Sequence, residues 1–188
     1  MQKSVPLSGK FLHASKLDLN ALLASLSTSK QAALEVRELL QDSKSIFDQF
    51  FLAGEDIRDL IEVKSWLMDH ILNGLWQRFS FDQNVSLIAV GGYGRGELQP
   101  HSDIDLLILV RDDIDEQLGA SLSEFITLLW DLKLDIGHSV RTISECITAA
   151  QEDVTIATNL LETRTISGDD ELLQIICKKV YSDEVFTS

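Results

Sequence analysis

Two aspartates, Asp103 and Asp105, open an apolar run that ends at Val110, and four glycines, Gly91, Gly92, Gly94 and Gly96, crowd the turn just upstream. Carboxylates two positions apart project from the same side of a strand, about 7 Å apart at their Cα atoms. They repel each other unless a cation sits between them. Mg²⁺ suits that place, because it takes one or two protein carboxylates and completes its octahedron with water and phosphate oxygens. Glycines let backbone N–H groups approach phosphates without side-chain bulk. Arg95, inside the turn, brings a guanidinium able to pair a phosphate bidentately. Ser102 precedes Asp103, and its hydroxyl can bond a backbone amide or a phosphate. A glycine cradle followed by a carboxylate pair is what metal-dependent nucleotidyl transfer needs. There, two ions roughly 4 Å apart activate the attacking oxygen and stabilise the leaving pyrophosphate. Gly91 and Gly92 are the expected nucleotide contacts, and Asp103 and Asp105 the metal-binding and catalytic pair.

Such a site usually has a third carboxylate. Asp135, between Leu134 and Ile136 at the start of a predicted strand, is the candidate, and Asp131 is the runner-up. Asp112 and Asp113 lie too far past the strand. The glycine spacing fits neither Gly-x-x-x-x-Gly-Lys-Ser/Thr nor Gly-x-Gly-x-x-Gly, so P-loop and Rossmann chemistry are unsupported. His13, His70, His101 and His138 share no metal-ligand spacing, although His101 stands beside the site. Cys146 and Cys177 are the only cysteines, too few for a disulfide framework and without the pairing that suggests zinc. They read as reduced, mostly buried thiols. The bland reading of the central stretch is a solvated aspartate pair beyond a ligand-free turn. The apolar strand behind the pair argues against it.

The elements that must position these residues follow from periodicity. Residues 1 to about 28 read as a loosely held lead-in with one short helix. A helix is predicted from about Ser29 to Phe51, with Leu34, Val36, Leu39, Leu40, Ile46 and Phe47 supplying an apolar stripe. Gly54 breaks it, and Asp56 opens a second amphipathic helix running to about Phe79. The period then changes. Val85 to Val90 reads as a strand, Asp103 to Val110 as a second strand buried on both faces, and Asp135 to Val140 as a third. A helix from about Asp115 to Leu132 joins the last two. Beyond Thr142, short helices and turns alternate, the last helix running from Gly168-Asp169-Asp170 to about Tyr181. The three tryptophans read as core. The expected division is a helical lead-in over residues 1–80 and a catalytic core over 81–188.

Composition narrows the partners. The chain has 188 residues, 45% of them hydrophobic, enough for one ordinary domain. Sixteen basic against 30 acidic side chains give a net charge of −14. A nucleic-acid binder needs a basic footprint, so the expected acceptor is a protein or a small molecule rather than DNA or RNA. No apolar run reaches 18 residues, so no membrane span is expected. The N-terminus lacks a signal-peptide pattern, and the expected location is cytoplasmic.

The stretch Gly91-Gly92-Tyr93-Gly94-Arg95-Gly96-Glu97-Leu98, with Pro100-His101-Ser102-Asp103-Ile104-Asp105-Leu106-Leu107, resembles the DNA polymerase β-type nucleotidyltransferase superfamily. More narrowly, it is similar to the N-terminal domain of bacterial bifunctional PII uridylyltransferase/uridylyl-removing enzymes. Leu129-Trp130-Asp131, Gly137-His138-Ser139-Val140-Arg141-Thr142, Phe51-Leu52-Ala53-Gly54 and Trp76-Gln77-Arg78-Phe79 extend the resemblance from about Ala32 to Tyr181. It implies an α+β fold: a small mixed sheet flanked by helices, with an N-terminal helical extension. It also implies Mg²⁺-dependent transfer of UMP from UTP to a tyrosine of the PII nitrogen-regulatory protein, releasing pyrophosphate. Asp103 and Asp105 match the metal-binding pair, and Gly91 and Gly92 the nucleotide-contacting turn. Family members are several times longer, with an HD domain that removes UMP and ACT domains that bind glutamine. Neither pattern is present, so the chain is expected to be one part of a longer enzyme. The alternatives are a related transferase with a small-molecule acceptor and a silent nucleotide-binding or interaction domain.

Overall fold

The computed structural model describes residues 6–99, 102–111 and 114–181. His101, Asp112 and Asp113 lie outside the described residues. The described chain begins with four helices: α1 (Leu7–Ser15), α2 (Leu19–Thr28), α3 (Ala32–Leu52) and α4 (Ile57–Trp76). Strand β1 (Val85–Ala89), the single helical turn α5 (Gly91–Gly94) and strand β2 (Ile104–Val110) follow. Then come α6 (Glu116–Asp131), β3 (Ile136–Thr142), α7 (Ile143–Glu152), α8 (Val154–Leu161), β4 (Arg164–Ser167) and α9 (Asp170–Tyr181).

The four strands form one sheet in the order β3-β2-β1-β4. Strand β1 is antiparallel to both β2 and β4, whereas β2 and β3 are parallel, Ile104 facing Ile136 and Asp105 facing Gly137. A parallel pair needs a long crossover, which α6 supplies. Alternation along β2 splits the core in two. Leu106, Ile108 and Val110 face α4, the other N-terminal helices and α6. Leu107 and Leu109 face a second cluster built from α7, α8 and α9. Every residue from Leu106 to Val110 is buried, as expected of a strand covered on both faces.

The mixed sheet flanked by helices is the α+β architecture expected from the sequence. Capping explains several boundaries. Asp56 accepts from Arg58 N at the start of α4, and Asp115 accepts from Leu118 N at the start of α6. Thr142 and Glu145 form a reciprocal capping box at α7.

Three expectations need correction. The lead-in is two helices, not one loose segment. Phe11 of α1 is fully buried and stacks on Phe47 at 5.1 Å. Leu26 of α2 is fully buried against α4, where Gly74 leaves room for it. The Arg78 guanidinium closes the end of α2 by donating to Leu26 O and Ser29 O at 2.9 and 2.8 Å. Second, Arg164–Ser167 is a strand, although its sequence is short and polar. Third, Trp130 is 62% exposed rather than core, and its indole meets the His138 ring edge-on.

Candidate active site

Strand β1 ends at Ala89, and the chain turns at once into α5, whose first residues are Gly91 and Gly92. Val90 N donates to Asp105 O at 3.1 Å, so the turn hangs directly on the strand that carries the aspartates. Of the four glycines only Gly91 (φ 59°) and Gly96 (φ 76°) adopt the left-handed region. Gly94 is needed for another reason: a Cβ there would overlap the Glu162 carbonyl, because the α8–β4 connection packs directly on the turn. The opening amides of a helix have no acceptor within it, and here they belong to Gly91 and Gly92.

Asp105 lies on the sheet face covered by α7, α8 and α9, at the end of the strand. Its carboxylate sits between two glycines. A Cβ at Gly137 would stand 2.5 Å from Oδ1, and one at Gly91 would stand 3.8 Å from Oδ2. Only glycine at position 137 gives this carboxylate its room. Ile104, between the two aspartates, is buried, and exposed Asp103 stands just ahead of the strand, near enough for its charge to act on Asp105. Burial first, and then the negative charge of Asp103, raise the Asp105 carboxyl above its ordinary range. A cation between the two carboxylates would relieve both effects. Hard oxygen donors in this arrangement fit Mg²⁺.

Asp135 is exposed just before β3, and its backbone carbonyl accepts from Ile104 N at 2.9 Å. The parallel register carries it to a position beside Asp103. Among the described residues no three His, Cys, Asp or Glu side chains gather to hold a metal, so Asp135 does not complete a three-carboxylate cluster with Asp103 and Asp105. Mg²⁺ ordinarily keeps several waters, and the pair needs no third protein ligand to fit it. Ser102 is exposed, and its hydroxyl donates to Gln99 O at 2.9 Å; it serves the turn. Arg95 is exposed at the cleft mouth, where Nε donates to Glu97 Oε2 at 2.9 Å and Nη1 pairs with Glu162.

A cleft of about 530 Å³ opens over these groups, lined by Gly91, Gly92, Arg95, Asp105, Gly137 and Glu162 among others. It brings together the glycine turn, one aspartate and Arg95 as the sequence suggested. A smaller cavity with Ser139, Arg141 and Cys146 in its lining adjoins it, sharing Val90, Ser139 and Asn159 with the cleft. Burial pushes the Cys146 thiol up to about 11, the direction that disfavours the thiolate.

Sequence reasoning missed the supports beneath the turn. Tyr93 is 1% exposed, and its hydroxyl donates to Asp69 Oδ1 on α4 at 2.7 Å. Asp69 also pairs with Arg164 of β4, whose guanidinium donates to Tyr93 O at 3.1 Å and lies 5.3 Å from the Tyr93 ring centroid. Burial, with the Asp69 charge behind it, holds the Tyr93 phenol far above its ordinary range. On the other side, the buried Ser65 hydroxyl lies 2.7 Å from Gly96 O and 3.1 Å from Leu98 N. The Lys64 ammonium donates to Gln99 O at 3.0 Å. Helix α4 therefore grips both ends of the glycine turn. The adjacent polar positions Lys64 and Ser65, inside an apolar stripe, are the one local sign of that grip.

Residues 71–162, from α4 to the Glu162 that meets Arg95, match the nucleotidyltransferase domain family. A bifunctional uridylyltransferase/uridylyl-removing enzyme of Stutzerimonas stutzeri is 39% identical over 173 residues, 91% of this chain and 19% of that protein. The enzyme of the same name from Pseudomonas putida is 44% identical over 159 residues, 84% of this chain and 18% of its own length. That from Vibrio atlanticus is 45% identical over 167 residues, 86% of this chain and 19% of its own length. The chain thus spans about a fifth of the length of the curated relatives it matches. The matched stretch takes in the glycine turn, both aspartates and Glu162, and over it the chain is similar to nucleotidyltransferase domains.

Proposed function

We propose that this nucleotidyltransferase domain moves UMP from UTP to a tyrosine hydroxyl of the PII signalling protein, with release of pyrophosphate. The observation that carries the reading is the Asp105 carboxylate, seated between Gly91 and Gly137 with Asp103 beside it. The uridylyltransferase names of the relatives support the choice of nucleotide. The acidic total of −14 supports a protein rather than a nucleic acid as acceptor.

Asp103 and Asp105 would hold Mg²⁺, which when bound supplies Lewis-acid polarisation of the phosphate oxygens. The residues of the chain do the rest. The amides of Gly91 and Gly92 bind the phosphate tail and set its direction. Arg95 offers its guanidinium to the leaving pyrophosphate. The Tyr93–Asp69–Arg164 network and Ser65 keep the turn in place, so positioning and charge complementarity act without reorganisation at the moment of reaction. Tyr93 itself is buried and bonded, so the reacting phenol is the acceptor's.

The test is labelled UTP with PII and Mg²⁺, with unlabelled ATP as competitor. Label is expected on PII, insensitive to ATP. Asp103→Asn and Asp105→Asn should each abolish it while the melting temperature stays unchanged. Normal turnover by the double Asn variant, or no transfer by the unaltered protein, overturns the reading. UTP with Mg²⁺ should also raise thermal stability, by about 2.7 kcal/mol when present at 100 times its Kd.

A further inference from the structure

We infer that Glu162, together with Glu97, is a positioning residue that aims the Arg95 guanidinium at the phosphate tail of the nucleotide. The inference rests on the nucleotidyl-transfer reading of the cleft. Arg95 presents three nitrogens, and two are engaged: Nε by Glu97 and Nη1 by Glu162. The third, Nη2, lies 3.7 Å from where a Cβ would stand on Gly92. The two carboxylates thus fix the plane of the fork and leave its third nitrogen beside Gly92 of the turn. A long exposed side chain held by two partners loses its rotamer freedom before the ligand arrives, which is what preorganisation requires.

Two observations favour a fixed support over a displaceable latch. Glu162 does not ride on a mobile flap: its backbone carbonyl packs against Gly94, where even a methyl group would overlap it. The pairs also make poor stabilising devices. Arg95 and Glu162 are 42% and 35% exposed at their side chains, and Glu97 is 53% exposed. Exposed ion pairs add little to folding stability, so two of them converging on one arginine at a cleft mouth serve the cleft. The pairing links α5 to a residue 67 positions later, at the far end of the region matching the family.

The test is titration of Mg²⁺–UTP by calorimetry, with melting temperatures and steady-state kinetics run in parallel. Glu162→Ala should weaken binding roughly tenfold, the lower end of what partner groups behind a ligand-holding residue contribute. Glu162→Gln, which keeps an acceptor, should recover part of the loss. The kinetic cost should fall on kcat/KM, with KM raised and kcat lowered to the extent that Arg95 meets the leaving pyrophosphate, and the melting temperature should not move. In Arg95→Gln the further change Glu162→Ala should cost nothing more, because both act through one group. Glu162→Ala that binds as tightly as the unaltered protein, or more tightly, overturns the inference. Arg95→Gln with unaltered affinity removes Arg95 from phosphate binding, yet the loss of transfer in Asp103→Asn would still stand for the parent reading. Loss of binding only alongside a lowered melting temperature also overturns it.

Discussion

Gly137→Ala separates the carboxylate's position from the fold that carries it. Gly137 has no left-handed φ and is exposed on an edge strand, so alanine is compatible with its backbone. In such a setting a glycine-to-alanine change stabilises by about 0.4–1 kcal/mol through the unfolded chain. The new Cβ would nevertheless stand 2.5 Å from Asp105 Oδ1, where ordinary contact begins at 3.4 Å. The far end of a carboxylate yields more easily than backbone, so Asp105 swings aside and the strand stays. A displacement approaching 1 Å at a group that positions a reacting centre costs about 100-fold, equivalent to about 2.7 kcal/mol of transition-state stabilisation. The expected outcome is a melting temperature equal to or slightly above that of the unaltered protein, with kcat/KM for nucleotidyl transfer down by about two orders of magnitude. Circular dichroism melts and a transfer assay on the same preparation measure both. Activity within about threefold of the original would refute the claim that Gly137 sets the Asp105 geometry. A melting temperature lowered by more than about 5 °C would show that the strand, not the carboxylate, gives way.

Two further outcomes test the supports. Tyr93→Phe removes the hydroxyl that donates to Asp69. A hydrogen bond to a charged group is worth about 1.5–3 kcal/mol, so chemical denaturation should show a loss in that range, and a change below about 0.5 kcal/mol would discount the network. Glu35 is held below its ordinary carboxylate range by hydrogen bonds from Ser25 and Ser29, at 2.6 and 2.5 Å. A group whose pKa falls on folding adds stability above its unfolded value and loses it as pH drops through its folded one. Melting curves taken from pH 7 downward should therefore show Ser25→Ala/Ser29→Ala less stable than the original near neutrality, with the difference shrinking as pH falls below the ordinary Glu range.

The aspartate pair and the glycine turn were legible because their chemistry is contiguous. A strand, a flexible turn and a second strand follow one another between Val85 and Val110, close enough to be read together. Strand β2 was legible for the same reason, since its unbroken apolar run has only one economical burial. What was hidden depends on distance along the chain. Leu26 is buried only because Gly74, on another helix, lets α2 approach. Strand β4 reads as a turn until β1 offers it an antiparallel edge, and its register against β1 is irregular between Leu87 and Ile88. The partners of Tyr93 lie 24 and 71 residues away. No local pattern could attach Glu162 to Arg95 or hold Asp69 beneath the turn. Asp135 shows the converse: its place at the head of a strand was read correctly, but a place on a strand does not gather a third carboxylate into a cluster.

The charge of the cleft sharpens the charge of the chain. Asp103, Asp105, Glu97 and Glu162 all stand at or near it, while Arg95 in its lining is engaged by two glutamates and Arg164 beneath the turn by Asp69. An unaccompanied triphosphate would therefore enter a site of its own sign, inside a molecule of net charge −14. Repulsion of that kind is strongest where solvent is thinnest, which is where Asp105 is already held above its ordinary range by burial and by Asp103. On the proposed reading a divalent cation reverses the balance, because it neutralises the carboxylate pair and the phosphates together. The acidity then discriminates, rejecting bare nucleotide and polyanionic acceptors while accepting a nucleotide that brings its own cation. A basic cleft would bind phosphate more tightly but could not make that distinction. In such a site the direction of the third Arg95 nitrogen matters as well as the guanidinium's charge, because the two glutamates that partly offset that charge also set its aim.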